Sequence, residues 1–195
     1  MKASILAITA MGCLAGSLAG LQSQPAEAAN GQAAMEMETS ASSAGSTQAV
    51  GGGEAMFQTI RKLVGRWEAP LPNKKTIVDT FQPFDNGNYM LHEEWVDGKQ
   101  ITSSVFYMVG SQLRVDHFCD YGNQPRYTAK PSADPSVVNL QFRSATDLDT
   151  HPRHFHSTTW HLIDATHMTQ DWEVLGGPKG RVMVHMDFVR TATSP

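Results

Sequence analysis

From residue 75 to residue 190 apolar and polar side chains alternate with a period of two, and turn-forming residues break the pattern about every 8–12 residues. This combination leaves few folds open. A period of two places successive side chains on opposite faces of a strand, so each segment offers one face to a core. Strands are predicted over 75–84, 88–96, 99–109, 112–119, 125–130, 137–144, 154–164, 166–174 and 181–190, with a short one at 66–69 bringing the set to about ten. Asp97-Gly98 and Gly110-Ser111 are hairpin turns, while Asp85-Asn86-Gly87 and the glycine-rich 176–180 end strands. No helical stretch long enough for a crossover lies between them, so the sheet is expected to be antiparallel. A meander of this size would expose two edges, and closing it on itself removes both. The expected fold class is all-β: an antiparallel up-and-down barrel of about ten strands with one short N-terminal helix. A Greek-key sandwich is the alternative.

The helix is predicted over 54–64. Met56, Ile60, Leu63 and Val64 share one face, Arg61 and Lys62 fall in the last turn where cations complement the dipole, and Gly65 provides the stop. The barrel domain is therefore expected over 54–191. Residues 1–28 read as a signal peptide: Lys2, an uncharged apolar or small run over 5–21, then Pro25-Ala26-Glu27-Ala28 with cleavage-site spacing. The run falls short of the roughly 20 apolar residues a membrane span needs, and Gly12, Gly16 and Gly20 dilute it. Cys13 follows Ala10-Met11-Gly12, a partial match to a lipidation motif without its usual leucine; a lipid anchor there is the less favoured alternative. Residues 29–53, rich in Gly, Ala and Ser, read as a disordered linker. A periplasmic or secreted location follows from the leader.

Charge narrows the partners. Fifteen Lys and Arg against 19 Asp and Glu give a net charge of −4. Nucleic acid is excluded as a main partner, because phosphate binding needs a basic excess. With Cys13 in the leader, Cys119 is left without an intramolecular disulfide partner and is expected to be a buried, inert thiol.

Gly65-Arg66-Trp67 directly after the helix resembles the Gly-x-Trp opening of lipocalin-like (calycin) barrels. In those barrels a basic residue near the end of the last strand packs across the tryptophan, and Arg190 stands in that place. The order of Gly65-Arg66-Trp67, His92-Glu93-Glu94-Trp95, Thr158-Thr159-Trp160 and Asp171-Trp172-Glu173, with a Gly-rich turn before the last strand, is similar to an uncharacterised bacterial family of secreted lipocalin-like domains. The resemblance implies a barrel and names no ligand, since one fold hosts many activities.

Candidate chemistry comes from side chains the alternation turns inward. His154 and His156 lie about 6–7 Å apart on one strand face and form a candidate metal pair needing a third ligand from a neighbour. Trp160 and Leu162 share their face, which suggests an interior position. His117 alternates with Leu113, Val115 and Cys119 and is expected inside too. Glu93 and Glu94 must point to opposite faces; the bulk of Tyr89, Leu91 and Trp95 favours Glu93 as the inner residue, with Arg114 or Arg126 as ion-pair partners. Trp172 is expected to line the interior with Trp160 and Phe106. No Gly-x-Ser-x-Gly elbow, phosphate loop or dinucleotide fingerprint occurs.

The favoured function is binding of a small, mainly apolar molecule, with Glu93, Trp95, Phe106, His117, His156, Trp160 and Trp172 as the lining. A metal-dependent enzyme using the histidine cluster and a filled barrel acting as a structural or interaction domain are the alternatives. A haem-binding variant would use His117 or His156 as axial ligand. No cofactor is named by the sequence.

Overall fold

The computed structural model describes residues 52–192. The leader, Cys13 and the linker up to residue 51 lie outside the described residues. The chain runs through one helix, α1 (Gly52–Lys62), and ten strands: β1 (Gly65–Pro70), β2 (Thr76–Phe84), β3 (Tyr89–Val96), β4 (Lys99–Val109), β5 (Gln112–Cys119), β6 (Arg126–Lys130), β7 (Val137–Ser144), β8 (His154–Leu162), β9 (His167–Gly177) and β10 (Gly180–Thr191). Each strand pairs antiparallel with its chain neighbour, and β1 pairs with both β2 and β10, so the sheet closes into a barrel. The all-β, up-and-down expectation holds, and no sheet edge is left unpaired along the closure.

The interior is built by alternation. Ile77, Asp79 and Phe81 of β2, Leu113, Val115 and His117 of β5, and Met168, Gln170, Trp172 and Val174 of β9 are all buried, with less buried residues between them. Helix α1 adds Met56, Phe57 and Ile60 to the same core, and Leu63 follows just beyond its end. It packs against β4–β7, over the end where the β4–β5 turn and the β6–β7 loop meet. There Thr59 Oγ1 donates to Pro135 O at 2.7 Å. Gly53 makes the close approach possible, since a Cβ at that position would lie 2.2 Å from Ser111 O. The helix is displaced from the expected 54–64. It ends at Lys62, the chain turns at Gly65 with φ +125, and Val64 is left 43% exposed while Phe57 takes its place inside.

Trp67 and Arg190 lock the first strand to the last. The Trp67 indole donates to Leu63 O at 2.7 Å, and the Arg190 guanidinium lies 4.2 Å from the Trp67 ring centroid. Arg190 also donates to Lys62 O at 2.6 Å, to Ala165 O at 2.7 Å and to Val64 O. It thus serves carbonyls at and just beyond the C-terminus of α1, which have no intrahelical donor. Arg190→Ala is expected to cost about 1–3 kcal/mol, from the lost cation–π contact and charge-assisted bonds. Arg190→Lys should recover little, because one ammonium cannot replace the planar fork. Urea unfolding midpoints check this; an unchanged midpoint in the alanine variant would contradict the role.

Candidate functional site

The face of each strand decides what the interior contains. In β3 the buried set is Met90, His92 and Glu94, so Glu94 enters the barrel and Glu93 faces out. Side-chain bulk was the wrong guide here. Tyr89 stacks on Phe84, with ring centroids 5.0 Å apart on the outer face, and the same alternation turns Trp95 outward as well. Glu93 accepts from Gln100 Nε2 at 3.0 Å and from Thr80 Oγ1 at 3.5 Å, and is not paired with Arg114 or Arg126. Glu93 and Trp95 instead line an external groove of about 900 Å³ beside Arg66 and Thr80.

A second bulge corrects the histidine expectation. Between Phe155 and Ser157 the β8–β9 register shifts, leaving His156 as the extra residue. A one-residue slip turns every preceding side chain to the other face. Phe155 therefore points inward, against His117 and Trp172, while His154 and His156 pack on Phe142 outside the ring cluster. His154 Nε2 and His156 Nδ1 are 3.1 Å apart, and His154 Nδ1 donates to Pro152 O at 2.8 Å. His154 is buried and His156 partly so, but neither ring touches Trp160; Phe142 is their aromatic neighbour. Burial and the neighbouring His154 and Arg181 hold His156 below the ordinary imidazole value despite nearby Glu173.

Phe106, His117, Trp160 and Trp172 do face the interior, where they belong to one contiguous group of rings. Between them runs a polar chain. His92 Nε2 lies 2.9 Å from Asp79 Oδ2, Gln170 Nε2 donates to the same oxygen at 2.7 Å, and Trp172 Nε1 donates to Gln170 Oε1 at 2.8 Å. Thr102 Oγ1 donates to Glu94, and Ser104 Oγ lies 2.8 Å from His117 Nδ1. Burial pushes the Glu94 carboxyl up to about 7, helped by the Asp79 charge and opposed by His92 and the Thr102 bond. Burial pulls His92 down, but the Asp79 carboxylate bonded to it raises it overall. His117 is pulled down to about 3 by burial, reinforced by the charge on His92.

These values limit the chemistry. An imidazole held that low is a weak base toward Ser104 at neutral pH. Cys119, expected deep inside, is half-buried at the end of β5, and burial raises its thiol to about 12, which keeps it protonated. Asp79, His92 and Glu94 each offer one ligand atom, and the three atoms lie within 4.8 Å of one another. Sequence reasoning passed over Asp79 and His92, although Asp79 alternates with Ile77 and Phe81, a signal that it shares their apolar face.

No family model matches the chain, and no curated protein matches it. Among solved structures, Rv2717c from M. tuberculosis is similar at 12% identity and a TM-score of 0.52, covering 70% of this chain and 98% of that one. The two share a fold. A protein of unknown function from the DUF3598 family of Nostoc punctiforme PCC 73102 is 13% identical with a TM-score of 0.39, covering 68% of this chain and 49% of that one. The chain is a closed ten-stranded barrel domain of unknown function.

Proposed function

We propose that the barrel is a binding module, taking a small amphipathic molecule into the interior beside Trp160, Trp172 and His117. One observation carries this reading. Asp79 Oδ1, His92 Nδ1, His117 Nε2, Thr158 Oγ1 and Trp160 Nε1 are buried polar atoms without a hydrogen-bond partner. Native proteins leave few such atoms, and each one left bare costs about 1–3 kcal/mol. Of the ten such atoms among the described residues, these five belong to inward-facing residues of β2, β3, β5 and β8. Side chains can fill an eight-stranded barrel, and ten strands enclose more space. The aromatic wall suits an apolar body, and the Asp79 and Glu94 carboxyls disfavour an anionic head. An uncharged or cationic head fits best.

The Gly65-x-Trp67 opening under Arg190 supports the lipocalin-like reading, in which ligands occupy the barrel interior. The leader-like first 28 residues support a periplasmic or secreted location, with a lipid on Cys13 as the lesser alternative.

N-phenyl-1-naphthylamine, uncharged and carrying one N–H, is a suitable probe. It should bind the full chain with one-to-one stoichiometry and quench tryptophan emission by energy transfer. Thr158→Trp, which fills the interior, and His117→Phe, which removes one polar partner, should each weaken binding at least tenfold while Glu93→Gln on the outer wall does not. Absence of binding, or equal loss in Glu93→Gln, would overturn the proposal; far-UV circular dichroism confirms that each variant is folded.

A further inference from the structure

We propose that Asp79, His92 and Glu94 form an interior site for a first-row divalent cation such as Zn²⁺, Mn²⁺ or Co²⁺. The placement follows from strand register. Asp79 of β2 sits directly opposite Glu94 of β3, and His92 is the next residue on the same inward face of β3. One atom from each converges within 4.8 Å of the others. Two carboxylates and one imidazole are a mixed oxygen and nitrogen set, which suits borderline first-row dications better than Ca²⁺, which prefers oxygen alone, or Cu⁺, which prefers sulfur.

Two further observations point to a ligand rather than a closed hydrogen-bonded cluster. Asp79 Oδ1 and His92 Nδ1 are fully buried members of the triad and have no partner. The carboxylates are also held by residues outside the triad, Asp79 Oδ2 by the Gln170 amide at 2.7 Å and Glu94 by the Thr102 hydroxyl, as outer partners hold metal ligands. Charge gives the same direction. Two buried acids face one imidazole, and among the described residues no lysine or arginine is buried to balance them. A dication supplies that charge, and three protein ligands leave open positions that an uncharged polar head can fill. The site rests on the interior described above but needs no organic ligand, so it is tested without one.

The chelator-treated full chain is titrated with Co²⁺ alone, read by visible d–d absorption and by calorimetry. One equivalent is expected to bind, with bands that Zn²⁺ bleaches by displacement. Asp79→Asn and Glu94→Gln, near-isosteric changes, should each weaken Co²⁺ at least tenfold, and Thr102→Val, which removes only the orienting hydroxyl, should weaken it as well. The double variant His154→Ala/His156→Ala should bind as the parent does, which separates the triad from the outer histidine pair. No bands and no heat with Co²⁺, Zn²⁺ or Mn²⁺ would overturn the site; so would binding that survives Asp79→Asn, Glu94→Gln and Thr102→Val, or that is lost in the His154/His156 variant. N-phenyl-1-naphthylamine binding measured on the same samples keeps the two proposals apart: dye without metal rejects only the cation site, and metal without dye rejects only the organic ligand.

Discussion

Trp160→Ala is expected to destabilise the barrel by about 3–5 kcal/mol, the range for removing a large aromatic side chain from a core. Trp160 is 2% exposed and stands at the junction of the interior rings. Its centroid lies 5.1 Å from His92, 5.3 Å from Phe106, 5.8 Å from Phe81 and 6.0 Å from Trp172. Edge-to-face and tilted contacts of this kind add about 0.5–1.5 kcal/mol per pair beyond area burial. The neighbours are strands locked into a closed sheet, so they can collapse only partly into the space left. Trp95 provides the control, because alternation along β3 puts it on the outer wall, and Trp95→Ala should cost about 1 kcal/mol or less. Urea unfolding followed by circular dichroism measures both. Equal losses at the two tryptophans would contradict the assignment of faces.

Acid should expose His117. Its folded-state value is depressed to about 3 against 6.5 for the free side chain. A base depressed on folding favours the folded state while neutral, so its contribution is fully present above pH 6.5 and is lost as the pH falls toward 3. The loss amounts to about 3 kcal/mol by pH 4, at 1.36 kcal/mol per pH unit. Glu94 acts in the opposite sense: its carboxyl, raised to about 7 from 4.5, favours folding when protonated, and that contribution is lost as the pH rises from 4.5 through 7. In metal-free protein the two slopes oppose each other between pH 4.5 and 6.5. His117→Gln removes only the first. The variant should therefore lose about 3 kcal/mol less than the parent between pH 7 and pH 4, since all other titrations are common to both. Parallel pH profiles would show that His117 is not a buried neutral imidazole.

Much of the fold was legible because hairpin turns and alternation are local signals. Asp97-Gly98 and Gly110-Ser111 delimit β4 at both ends, and their positions follow from the positive φ those turns require. The faces were legible where one set of side chains is plainly apolar, as in β9, where Met168, Gln170, Trp172 and Val174 enter together. In β3 both sets contain large apolar residues, and alternation alone has no means of choosing between them. In β8 the bulge at His156 carries no sequence mark, yet it put Phe155, and neither His154 nor His156, among the interior rings. The candidate centre was hidden for a different reason. Asp79, His92 and Glu94 are polar residues at interior positions, and a pattern that sends polar side chains to solvent passes over them.

Native mass spectrometry of the full chain, purified from cells under non-denaturing conditions, tests the central claim most directly. The expected mass exceeds that of the polypeptide by a small molecule or a cation, which is released when the barrel is unfolded. A bare polypeptide mass, unchanged after addition of N-phenyl-1-naphthylamine or divalent cations, would contradict it and leave a filled barrel that acts through its surface.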